Sequence, residues 1–176
     1  MKRIEEEANR HITEKMLSPL PLYTRIGINT GEMVVGNMGT QKKMNYTIVS
    51  NAVNLASQLE SVNKQYGTWI LASEDTIKET EELLLSRRLD RIRVTGIERP
   101  LRIYEILETS TDAAPSLHEL ASLFQTALNV FETCNWKNAE NAFAQVLKLS
   151  PNDGPALLYL NRCRNYRQYP PKEDWD

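Results

Sequence analysis

The chain has 176 residues, 41% of them hydrophobic and 25% charged, with a formal net charge of −2. That length allows one core plus a small second unit, and the near-neutral balance gives no electrostatic case for nucleic acid as a partner. No apolar run reaches the roughly 18 residues of a spanning helix, and the charged opening MKRIEEEANR lacks a secretory pattern. The expected setting is cytoplasmic, as a free chain or as the cytosolic part of a longer membrane-anchored one.

In chain order, Ile4, Ala8, Ile12 and Met16 recur every four residues and predict a helix, which SPLP at 18–21 stops. Glu5 to Glu7 read as its solvated face. Strand signals follow in LYTRIGIN, EMVVGNM and KMNYTIV, punctuated by Gly31, Gly36 and Gly39 as turns or close backbone approaches. A helix then starts at a Ser50 or Asn51 cap, with Val53, Leu55, Ala56, Leu59 and Val62 apolar. YGTWILA predicts a strand, and SEDTIKETEELLLSR a helix capped by Ser73 with acids in its first turn. The alternation in RRLDRIRVTGIERPLRIYEIL predicts a hairpin ending near Leu107. This mixture points to α+β with antiparallel neighbours.

Composition changes at ETSTDAAPS, a linker signal, and the rest reads as helical. Leu123, Ala127, Val130, Ala139, Phe143, Val146 and Pro151 fall at the offsets of one tetratricopeptide (TPR) unit, and GPALLYLNRCRNYRQY would cover its open face. A single repeat is short for a free solenoid, so the unit is expected to dock on the first domain or on a protein partner. The expected boundaries are 1–108, a linker at 109–116, a TPR-like unit at 117–170 and a tail at 171–176.

Other signals are weak. Cys134 and Cys163 fall in helix-like stretches and read as buried thiols. His11 and His118 have no metal-ligand spacing, and the NYT sequon at Asn45 reads as chance. TGEMVVGNMG lacks the spacing and lysine of a phosphate-binding loop. Arg87, Arg88, Arg91 and Arg93 suit a solvated edge strand more than an anion site.

The runs RIGINTGEMVVGNMG, NYTIVSNAVNLASQLE, YGTWILAS and LDRIRVTGIERPLRIYEI, taken in this order and spacing from Tyr23 to Leu107, resemble the C-terminal half of a class III nucleotidyl cyclase catalytic domain. The resemblance implies a partial ferredoxin-like α+β domain that pairs head to tail with a second protomer as a homo- or heterodimer. It also implies conversion of ATP or GTP to a cyclic nucleotide and pyrophosphate at sites shared across the interface, for intracellular signalling. In this family two Mg or Mn ions, held by two aspartates of one protomer, activate the ribose 3′-hydroxyl. The other protomer supplies an asparagine that orients the ribose and an arginine that stabilises the transition state.

Carried over by position, Asn54 matches the ribose-orienting asparagine and Thr47, just after Tyr46, the base-reading residue. A threonine there leans towards ATP, with an ordinary strand threonine as the alternative. The arginine position holds Gln58. Loss of one transition-state donor costs about 3–4 kcal/mol, or about 10²–10³ in rate. The usual glycine before the helix is Ser50. The lysine-bearing phosphate grip reads Thr95-Gly96-Ile97, which leaves Arg99 as a substitute. The two metal aspartates belong to the half of the domain that precedes Met1, so no metal site is expected in this chain and no activity from it alone. Three functions are open: a piece of a cyclase that makes cyclic nucleotide, a degenerate regulatory or dimerisation partner, and a TPR-type interaction module.

Overall fold

The computed structural model describes residues 2–16, 18, 20–40, 43–94 and 99–171. Helix α1 (Lys2–Glu14) leads into a coil held against it: Asn9 exchanges two hydrogen bonds with the Leu22 backbone, and the Thr24 amide donates to Glu5 at 2.7 Å. Glu5 is therefore a strap and not merely part of a solvated face. Strand β1 (Ile26–Ile28) follows, then β2 (Val34–Thr40) and β3 (Lys43–Val49), which among the described residues pair only with each other, as an antiparallel ribbon. Helix α2 (Asn51–Tyr66) returns the chain to β4 (Ile70–Ser73), and α3 (Glu74–Thr80) leads through a single 3-10 turn to β5 (Leu84–Ile92) and β6 (Leu101–Thr109).

The main sheet runs β1-β4-β6-β5. Its β4–β6 and β5–β6 pairs are antiparallel, but β1–β4 is parallel, which corrects the expectation of an antiparallel sheet. The reason is connectivity: β1 and β4 are joined by a crossover that includes α2, and such a crossover returns a strand in the same direction. A second correction concerns the helix expected from Ser73 onward. It ends at Thr80, and the chain from Leu84 onward pairs with β6 as β5. Those residues alternate, so that Arg87 and Leu89 both turn inward, a period-2 pattern that pairing with β6 can use and a helix cannot.

Helix α2 packs on β1 and β4 through buried Leu55 and Leu59, each contributing about 1.5–3 kcal/mol of apolar burial. A Cβ on Gly27 would lie 2.1 Å from the Ala56 carbonyl oxygen, so only glycine permits this approach. Buried Asn63 pins the end of α2, donating to the Ile26 and Leu59 carbonyls and accepting from Thr68.

The remaining chain forms α4 (Pro115–Glu132), α5 (Trp136–Leu149) and α6 (Gly154–Gln168), joined by short loops. Phe124, Phe131, Phe143 and Tyr159 meet edge-to-face or stacked, with centroids 4.8–6.4 Å apart. This cluster is continuous with the core of the sheet, and the helices dock on β5. Arg87 donates to Glu105 at 2.8 Å and to Asp153, the α6 N-cap, at 2.7 Å. Tyr159 donates to the Leu89 carbonyl at 2.8 Å. Leu89 falls where the β5–β6 register slips, so the helical unit supplies a partner to a carbonyl at a bulge. Gly154 lies so close to the end of α2 that a Cβ there would approach the Tyr66 carbonyl oxygen to 2.4 Å.

The arginines of β5 are accordingly not all solvated: Arg87 is 4% exposed. Cys163 is buried, whereas Cys134 is exposed in the α4–α5 turn with φ 58°, which corrects its reading as a buried helical thiol. His11 and His118 are exposed on helices. Among the described residues no helix is long and apolar enough to cross a membrane.

Candidate functional site

The site expected from the sequence is built around the β3–α2 junction. Val49 ends β3, and Ser50 adopts an extended backbone and caps α2 by accepting from the Ala52 amide. The same hydroxyl donates to the Glu32 carbonyl, so Ser50 joins the segment before β2 to the start of the helix. Asn29 adds a second tie, donating to the Ala52 carbonyl at 3.1 Å. None of Asn29, Asn63 or the Ser50–Glu32 tie was singled out in the sequence. The legible signal for Asn63 is a polar residue on the apolar Leu55–Leu59–Tyr66 face of α2.

This frame fixes Asn54 in the first turn of α2, where its amide donates to the Ser50 carbonyl and its side chain is exposed. Gln58 lies one turn further on and is half-buried. The two share a face by their i,i+4 spacing, and unsatisfied amides at a helix N-terminus favour negative charge nearby. Thr47 and Tyr46 sit on the exposed ribbon, opposite Gly36 and Asn37 respectively. Adjacent strand residues face opposite ways, so Thr47 and Tyr46 do not share a surface.

Arg99 is exposed just before β6, on an element other than β3 and α2. Thr95, Gly96 and Ile97 lie outside the described residues. Thr47 thus lies on β3, Asn54 and Gln58 lie on one face of α2 that follows it, and Arg99 lies on a separate element.

The donors at this junction are neutral amides and hydroxyls. Magnesium favours carboxylate oxygens in an octahedral shell, so this set by itself does not fit a metal pair. Among the described residues no three His, Cys, Asp or Glu side chains converge as a metal-holding group.

Comparison with known proteins agrees with this architecture. The family model for the adenylate and guanylate cyclase catalytic domain matches residues 2–108. A terminal-differentiation-specific adenylate cyclase of Dictyostelium discoideum is 30% identical over 145 residues, 80% of this chain and 7% of that protein. That span is longer than 2–108, so the likeness runs on into the helical unit. Adenylate cyclase 1 of Rhizobium meliloti (strain 1021) is 36% identical over 105 residues, 59% of this chain and 16% of that protein. Among solved structures, the adenylyl cyclase CyaB from P. aeruginosa superposes with a TM-score of 0.53 at 34% identity, covering 64% of this chain and 56% of that one. The chain spans under a fifth of the length of these two curated relatives. The match across residues 2–108, on a sheet and α2 helix that suit it, places this chain in the adenylate and guanylate cyclase catalytic domain family.

Proposed function

We propose that this chain supplies one half of a composite nucleotide cyclase site, pairing with a complementary protomer to make cyclic nucleotide, with ATP favoured over GTP. The observation that carries the reading is the Ser50-capped start of α2, which holds Asn54 exposed one turn from Gln58 and beside the strand that bears Thr47. In this reading the Asn54 carboxamide orients the ribose, Thr47 meets the base while Tyr46 turns to the other face of β3, and Arg99 contributes charge toward the terminal phosphates. Gln58 offers a neutral donor where a cation would do more. The Mg or Mn pair of the family is held by the complementary protomer.

The chain alone, given ATP and Mn²⁺, is expected to yield no cyclic AMP, and detecting turnover there overturns the division of the site. In a complete domain, Gln58→Arg should raise the rate, by up to about 10²–10³. An unchanged rate would favour the second reading, a non-catalytic cyclase-like partner, which rests on the neutral Gln58. Residues 117–170 are a proposed TPR-like unit. Part of its surface, at Asp153 and Tyr159, is engaged with β5, so a protein partner would bind elsewhere on the helices.

A further inference from the structure

Helix α2 joins the face that carries Asn54 to the helical unit. Asn54 stands in its first turn, and its last residue, Tyr66, lies against the start of α6. Leu55, Leu59 and the close contact with Gly27 fix α2 sideways on β1 and β4. Its place along its own axis is set by what holds the two ends. At the start, Ser50 donates to the Glu32 carbonyl and Asn29 to the Ala52 carbonyl. At the finish, Asn63 donates to the Ile26 carbonyl, and the helical unit supplies a second hold.

That second hold sets a glycine against a carbonyl. The last carbonyls of a helix point out along its axis, and a Cβ on Gly154 would come within 2.4 Å of the Tyr66 carbonyl oxygen. The same Cβ would lie 3.1 Å from the Gly67 Cα and 3.2 Å from the Gly67 oxygen, so α6 starts flush against the end of α2. The negative end of one helix meets the positive start of the other, a favourable arrangement of dipoles. Side chains repeat the contact. The Tyr66 hydroxyl donates to Asp90 at 2.5 Å, and Arg162 of α6 donates to the same carboxylate oxygen at 2.7 Å. The start of α6 is itself anchored, because its cap Asp153 is paired at 2.7 Å with buried Arg87 of β5.

We propose that Gly154 is a positioning residue for the face that carries Asn54: by abutting the end of α2, it lets the helical unit set where that helix sits along its axis. Rigid elements carry coupling between distant sites, and helix shifts of about 1–2 Å are a recurrent form of it. Asn54 precedes Tyr66 by about 18 Å along the axis, at 1.5 Å per residue, and an axial push at one end arrives undiminished at the other. A side chain at position 154 would push α2 toward its start, against the Ser50 and Asn29 ties. What that shift does to a ligand rests on the nucleotide-handling role given to Asn54 above; the coupling itself does not.

The test is native-state amide exchange of the full chain, read at residues 54–58, together with calorimetric titration with a non-hydrolysable ATP analogue. Gly154→Ala should speed exchange at 54–58 tenfold or more. Ala139→Gly, which weakens the buried core of the helical unit on α5, should leave exchange there unchanged despite a lower unfolding midpoint. Ser50→Ala should also speed exchange, and in Gly154→Ala/Ser50→Ala the two effects should not add, although sites this far apart ordinarily do. Should Gly154→Ala not fold, Tyr66→Phe, which removes only the bond to Asp90, takes its place throughout, with a severalfold effect expected. Wild type should bind the analogue, and Gly154→Ala should bind it severalfold more weakly while Ala139→Gly matches wild type. Equal exchange in Gly154→Ala and Ala139→Gly, additive effects in the double variant, or an affinity that Gly154→Ala leaves unchanged overturns the proposal. Absence of binding by wild type refutes instead the nucleotide-handling role of Asn54, and the exchange result still decides the coupling.

Discussion

Replacing Arg87 by alanine should be among the most damaging single substitutions in this chain. The guanidinium is 4% exposed, donates at 2.8 Å to Glu105 and 2.7 Å to Asp153, and stacks over the Phe124 ring at 4.6 Å. Truncation removes the guanidinium that two carboxylates, 8% and 7% exposed, both contact. Removing one partner of a buried ion pair costs about 3–5 kcal/mol, against a total stability of about 5–15 kcal/mol for an ordinary domain. With a urea m-value of about 2 kcal/mol/M, the midpoint should fall by about 1.5–2.5 M. Urea unfolding at pH 7, followed by circular dichroism, measures this directly. Since the triad joins β5 and β6 to the α6 cap, amide exchange in α6 should accelerate more than in α2. In the double variant Arg87→Ala/Glu105→Ala, part of the loss should return, because one stranded charge is gone. A midpoint shift below about 0.5 M for Arg87→Ala, or a double variant whose two losses simply add, would refute the view that the triad holds the helical unit to the sheet.

Other consequences are as direct. Gly27→Ala forces a methyl group to within 2.1 Å of a backbone oxygen of α2. It should cost about 1–3 kcal/mol or more, and, by shifting α2, lower any nucleotide affinity that depends on Asn54; retained stability and affinity would show that the helix adjusts freely. The chain should also unfold steeply in alkali. Burial, reinforced by the nearby Asp90 carboxylate, pushes the Tyr66 and Tyr159 hydroxyls well above the ordinary tyrosine range. Folded-state pKa values raised in this way leave stability intact below about pH 10, where unfolded tyrosine begins to ionise. Above that the unfolded chain releases protons that the folded chain keeps, so stability should fall by about 1.4 kcal/mol per pH unit for each group. Chemical denaturation at pH 9, 10 and 11 checks the slope, and Tyr66→Phe should flatten it.

The primary sequence was enough to place the strand-then-helix unit around Ser50, because a β-rich run, a capping serine and apolar spacing at Leu55 and Leu59 are all local signals. The hairpin of β5 and β6 and the helices that follow it were legible for the same reason. Family membership was also readable, since the motifs kept their order from Tyr23 to Leu107, inside the 2–108 span that the family model matches. What local pattern could not decide were the long-range pairings. LLSRR from Leu84 could serve a helix or a strand until β6 supplied a partner, and the parallel match of β1 with β4 required the whole crossover. Four arginines in RRLDRIRV look alike in sequence, yet Arg87 is interred between Glu105 and Asp153 while Arg91 stays exposed. That sorting depends on Asp153, which lies 66 residues further along the chain. Burial and charge pairing are properties of the assembled surfaces, and only the packing of the helical unit onto β5 could assign them.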